Sequence, residues 1–237
     1  MGTSGIKITF MKKAYIKLLI LFVATFSCYS VSAQSREYIR NSITQWGECR
    51  NVTITEYNGD IALYGKNGYS MYGCPAGLND AIKELHQDGE YIDDVQLTEN
   101  GRWVILYGNN GIMWNNIPYS LEEKLREFNQ RGEVITSVTF NDAGNWIVIG
   151  EDYISSSHNE ITEWLSSGMD EYGSLWAACV TDDAMVAVYE NGYLYFGNVP
   201  ESLKKALRET DIDVFRLKIA GSAWFFADTN GHYQYHM

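Results

Sequence analysis

Proline is almost missing from this chain: three in 237 residues, at Pro75, Pro118 and Pro200. Cysteine and histidine are scarce, at four each, and the 18 lysines and arginines are well outnumbered by 30 acids. So acidic a balance excludes a nucleic-acid binder, whose phosphate contacts need a basic face, and disfavours anionic membranes. The one pronounced apolar run, Leu18-Leu19-Ile20-Leu21-Phe22-Val23-Ala24, falls short of the about 20 residues that span a bilayer. No His-Glu-x-x-His, Cys-x-x-Cys or Gly-x-Ser-x-Gly occurs, which removes the common zinc and nucleophile-elbow signatures. No spaced Asp/Asn ladder suggests a calcium loop.

That short run instead reads as part of a leader. Lys12 and Lys13 precede it and Val31-Ser32-Ala33 follows, the pattern of a secretory signal cleaved after Ala33. Met11 is the natural start, with residues 1–10 as additional upstream sequence. Lipidation at Cys28 is the weaker alternative, because Phe26 stands where such signals carry a small residue. Removing residues 1–33 takes away four lysines and no acid, moving the net charge from −12 to −16. The expected location is therefore secreted, periplasmic or cell-envelope, without membrane insertion. Cys49, Cys74 and Cys179 remain, and an odd number allows at most one internal bond. Cys49 with Cys74 is the expected disulfide, since both flank the first repeat.

What the sequence does have is a repeat. Ile61-Ala62-Leu63-Tyr64-Gly65-Lys66-Asn67-Gly68-Tyr69 matches Val104-Ile105-Leu106-Tyr107-Gly108-Asn109-Asn110-Gly111-Ile112, and all three prolines occupy one repeat position. Eroded copies follow at Asn145–Gly150, Val186–Tyr193 and Trp224–Tyr233. Each unit reads as three strands and a helix, with hairpins at Asn100-Gly101 and Asn110-Gly111, where type I′ turns are expected. After Pro118, Ser120 and Glu123 suggest a capping box. Leu121, Leu125 and Phe128 supply the buried stripe, and Gly132 ends the helix. The units fall at about 52–94, 95–137, 138–177, 178–216 and 217–237 within one domain, 34–237. The last unit is completed by the helical stretch in 35–51. A mainly β protein of five βββα units follows, preferably a closed five-bladed β-propeller, otherwise an open βββα solenoid.

The Tyr-Gly-x-Asn-Gly hairpin followed by Pro and a Leu-rich helix resembles repeats of secreted bacterial proteins and those accompanying bacterial caspase-like proteins. In outline it is similar to five-bladed propeller lectins, but no Trp-Asp signature of the WD type is present. The resemblance covers about residues 35–237 and implies an accessory or binding role.

No catalytic residue, metal ligand or cofactor is expected. His86, His158, His232 and His236 occupy unrelated positions. The acid pairs Asp93-Asp94, Glu151-Asp152 and Asp182-Asp183 should diverge, because neighbours on a strand face opposite ways. The candidate ligand-binding residues are the repeated aromatics and amides: Tyr64, Asn67, Tyr69, Tyr107, Asn110, Trp114, Tyr189, Asn191, Tyr193, Asn230 and Tyr233. Tyrosine beside a polar turn suits both packing and recognition. The expected function is an exported, non-catalytic binding module for a protein or a glycan. A glycosidase-like hydrolase using dispersed carboxylates and a structural subunit of an envelope complex are the alternatives. The third repeat breaks the pattern from Asp152 to Asn159.

Overall fold

The computed structural model describes residues 33–237. The leader through Ser32, the Cys28 lipidation site and the residues before Met11 lie outside them. The described residues repeat one pattern five times, a helix followed by three antiparallel strands in sequence order. Helix α1 (33–46) precedes β1 (Asn51–Thr53), β2 (Asp60–Tyr64) and β3 (Gly68–Tyr72). Helix α2 (Ala76–Gln87) precedes β4 (Ile92–Leu97), β5 (Trp103–Tyr107) and β6 (Gly111–Asn115). Helix α3 (Tyr119–Gln130) leads to β7 (Ile135–Phe140), β8 (Trp146–Gly150) and β9 (Ile154–Ser156). Helix α4 (Asn159–Tyr172) leads to β10 (Leu175–Val180), β11 (Ala184–Tyr189) and β12 (Gly192–Gly197). Helix α5 (Glu201–Glu209) leads to β13 (Arg216–Ala220), β14 (Ala223–Ala227) and β15 (Tyr233–His236).

The near-continuous apolar middle strands have a simple cause. Side chains alternate along a strand, and here each face of the middle strand feeds a different core. Trp103 and Ile105 of β5 join α2, β4 and Ile61 of β2 in one cluster. Val104 and Leu106 of the same strand join α3, β7 and β8 in the next. The third cluster joins Ile147 and Ile149 to α4 and the fourth sheet, and the fourth joins Val186 and Val188 to α5 and the fifth sheet. The fifth cluster sets Ile39 and Ile43 of α1 between Val52 of the first sheet and Phe225 of the last. Among the first strands, β1 touches β4, β4 touches β7, β7 touches β10, β10 touches β13, and β13 also touches β1. No helix among the described residues is long and apolar enough to cross a membrane.

Several local expectations are corrected. The Asn-Gly hairpins are not type I′ turns. At Asn67-Gly68 and Asn110-Gly111 the positive φ falls on the glycine after tyrosine, Gly65 at 51° and Gly108 at 59°, and at Asn100-Gly101 on Gly101 alone, at 76°. Gly68 and Gly111 serve a different need: a Cβ on either would collide with the ring of Tyr64 or Tyr107. Helix α3 begins after Pro118 with no side-chain cap. Ser120 instead accepts a hydrogen bond from the Trp146 indole at 3.0 Å. Gly132 does follow the helix with φ 73°. Cys49, Cys74 and Cys179 are free buried thiols. The Cys49 thiol donates toward the Leu63 carbonyl and the Cys74 thiol toward that of Asp60, near opposite ends of β2, so the expected Cys49–Cys74 disulfide does not form.

Candidate functional site

Where the first strands converge, their side chains are polar. Asn51 donates to Asp94 at 2.8 Å, the Thr53 hydroxyl to the Val95 carbonyl, and Gln96 to the Phe140 carbonyl at 3.4 Å. The strongest contacts join β13 to β4. Arg216 Nη2 holds both oxygens of Asp93 at 2.9 Å, and Lys218 Nζ lies 2.8 Å from Asp94 and 3.1 Å from Gln96. The adjacent acids Asp93 and Asp94 were expected to diverge. The register shift between Ile92 and Asp94 breaks the alternation, and both carboxylates reach cations of β13. Burial by itself would raise the Asp94 carboxyl, but Lys218 and Arg216 hold it below the usual carboxylate range. In this clamp the Lys218–Asp94 pair is buried and the Arg216–Asp93 pair half-buried, and each of the four charges is answered.

Beyond the clamp, the ends of the first strands in all five sheets surround a cavity of about 180 Å³ with an acidic rim that includes Glu56, Glu99, Asp142 and Asp182. At least two of these acids have structural work. Glu99 accepts the backbone N–H groups of Glu56 and Tyr57 at 2.6 and 2.9 Å, and Asp142 accepts the Thr98 hydroxyl at 2.7 Å and the Asn100 N–H at 2.9 Å. Each thus staples one sheet to the next.

The candidate ligand-binding residues do not form a single site, because they belong to four different sheets. Tyr64 stacks on Trp46 with ring centroids 3.8 Å apart. Asn67 donates to the His86 carbonyl at 3.1 Å, and Tyr69 meets the His86 ring edge-on at 5.0 Å. Tyr107 packs against the cluster around α2. Asn110 donates to the Glu133 carbonyl and accepts from the Ile135 N–H, fixing its hairpin to the exit of α3. Asn110 and Trp114 share a groove of about 310 Å³, where the Arg126 guanidinium covers the Trp114 ring at 4.9 Å. Tyr233 stacks with Phe225 and Tyr235, and the Asn230 N–H donates to Asp228, which opens the same turn. In the third unit, which lacks Asn-Gly, the Glu133 carboxylate accepts the Asp152 and Tyr153 N–H groups at 2.8 and 3.1 Å. The irregular segment there is held in place by a substitute contact.

One groove does gather several of them. Tyr189, Asn191 and Tyr193 line a space of about 470 Å³ between the fourth and fifth sheets, together with Trp176, Arg208, Thr210, Asp211 and Asp213. Tyr189 contributes only an edge, since it is 2 % exposed and its hydroxyl donates to the Leu165 carbonyl at 3.2 Å. Asn191, Arg208, Asp211 and Asp213 are exposed, and Tyr193 is half-buried. The groove owes its far wall to chain length. Residues 210–215 form the longest connection from a helix to the following strand; the connections after α2 and α3 are residues 88–91 and 131–134, and that after α4 is 173–174. Repeat matching missed Arg208, Asp211 and Asp213 because two of them lie in this extra length, and Trp176 because other units carry Asp93 or Thr136 in its place. Trp176 stacks on Phe215 at 4.8 Å, fixing the floor.

The thiols offer no nucleophile near neutrality: burial pushes Cys49 and Cys74 up to about 12, and burial also raises Cys179. Among the described residues, no group of three or more His, Cys, Asp or Glu side chains is placed to hold a metal ion. His232 pairs with Asp228 at 2.6 Å. No family model matches this chain, and no curated protein matches it.

Proposed function

We propose that the chain is a closed five-bladed β-propeller, exported by cleavage after Ala33, that recognises a glycan without catalysis in the groove between its fourth and fifth sheets. The groove carries this reading. An aromatic floor with exposed amide, carboxylate and guanidinium groups above it offers a stacking face and several hydrogen-bonding groups to a ring of hydroxyls. Its volume suits a small oligosaccharide. Ring closure is supported by the clusters that join every sheet to the next, including the last to the first through α1.

The test is titration of the protein with a panel of soluble glycans followed by calorimetry, repeated on Arg208→Ala and Asp211→Ala. Both residues are exposed, so the fold should survive. Loss of one good polar contact should weaken binding about tenfold. No glycan bound, or equal binding by both variants, would sink the assignment. A second reading, a protein partner, is favoured by β12, where Tyr195 is 46 % and Phe196 66 % exposed and Lys204 sits 4.3 Å over the Tyr195 ring.

A further inference from the structure

We infer that the exported chain carries an N-terminal pyroglutamate formed from Gln34, with the Tyr72 hydroxyl assisting ring closure. The inference rests on cleavage after Ala33, which makes Gln34 the first residue. Three observations support it. Gln34 is exposed, and its side-chain carbonyl Oε1 accepts a hydrogen bond from the Tyr72 hydroxyl at 3.2 Å. The next residue is locked: Ser35 is fully buried, donates to the Tyr72 carbonyl at 3.1 Å and accepts the Asp60 N–H at 2.9 Å. Arg36 is bonded to Asp60 at 3.0 Å. The new end would thus be held beside Tyr72 instead of swinging free.

The electrostatics favour closure. A free α-ammonium at Gln34 would sit at the start of α1, where the helix dipole is positive and disfavours cations. In the reaction the neutral α-amine attacks Cδ of its own side chain. The N–Cδ bond forms, the Cδ–Nε2 bond breaks, and Nε2 leaves as ammonia with the proton given up by the amine. Oε1 carries the developing negative charge, which the Tyr72 hydroxyl stabilises, and it remains as the lactam carbonyl. No co-reactant is needed. The charged end becomes neutral while the acceptor for Tyr72 is kept.

The experiment is intact-mass and tandem mass spectrometry of the protein exported with its own leader, sampled over days, alongside Tyr72→Phe. The expected product begins at residue 34, is lighter by one ammonia, resists Edman degradation and is opened by a pyroglutamyl peptidase. Tyr72→Phe, checked for an unchanged thermal midpoint, should close about tenfold more slowly, a smaller loss than that of an enclosed oxyanion hole. A chain beginning at Gln34 that keeps its ammonia overturns the modification and leaves the cleavage reading intact. Equal rates in the variant overturn the role of Tyr72. A chain beginning elsewhere removes the cleavage reading and the inference with it.

Discussion

Replacing Gly77 with serine should stabilise the protein. Trp146 and Trp224 occupy one position in their units, and each indole N–H donates to a serine in the first turn of the helix before it, Ser120 or Ser202, at 3.0 Å. Trp103 holds the same position in the second unit, 5 % exposed, but its Nε1 has no partner. The matching helix residue is Gly77, two residues after Pro75 as Ser120 is two after Pro118. An added Cβ there meets nothing within 4 Å. A buried donor left unmade costs about 1–3 kcal/mol, and replacing a helical glycine gains roughly 0.4–1 kcal/mol through the unfolded chain. Gly77→Ser should therefore gain about 1.4–4 kcal/mol, both parts together, and Gly77→Ala only the second part. Urea denaturation at constant slope reads both as shifts in midpoint. If serine stabilises no more than alanine, the hydrogen bond is not made and the unit-to-unit equivalence fails.

Cutting Lys218 to methionine leaves the Asp94 carboxylate buried without its nearest cation and should cost about 3–5 kcal/mol; the double variant Lys218→Met, Asp94→Leu should recover most of it in the same denaturation assay. Because Asp94 is held below its ordinary value of 3.8 in the folded chain, its contribution is present above that pH and is lost as the pH falls through the lower folded value. Asp94→Asn should flatten this acid limb of the stability profile, and an unchanged limb would count against the clamp. Gly111→Ala drives a methyl into the Tyr107 ring and should cost about 1–3 kcal/mol, in contrast to the tolerant Gly77, with thermal midpoints as the readout. With residues 1–33 removed, an aromatic disulfide reagent should find Cys49, Cys74 and Cys179 silent in the native protein and all reactive in denaturant, since burial keeps each thiol protonated.

The repeat made the architecture readable. Period-two alternation, the apolar middle strands and the proline–leucine helices each report one local rule, and the repeat sets Trp103, Trp146 and Trp224 at one position of their units. What stayed hidden depends on departures from that spacing. The shift at Asp93 turned two carboxylates toward one side, which strand periodicity alone predicts wrongly. Ser120 looked like a cap because its Trp146 partner is 26 residues away. The clamp left one trace, a cation in a column otherwise holding Thr53, Gln96, Thr139 and Cys179. The groove left less, because residues 210–215 have no counterpart of equal length to compare. The neighbouring turns left Tyr64, Tyr107 and Tyr189 open to packing or recognition, and only the distant partners show where the rings lie: Tyr64 on Trp46 and over Gly68, Tyr107 over Gly111, and Tyr189 against the backbone of α4.

The placement of α1 has a consequence for synthesis. It is made before any of the sheets, yet Ile39 and Ile43 meet Phe225, and Arg40 bonds the carbonyl of Met237, 197 positions away. While the ribosome is still working, this helix must wait with its greasy side uncovered. Native structure can be completed only after residues 223–237 emerge, which delays maturation and gives a chaperone a long window in which to hold the nascent polypeptide.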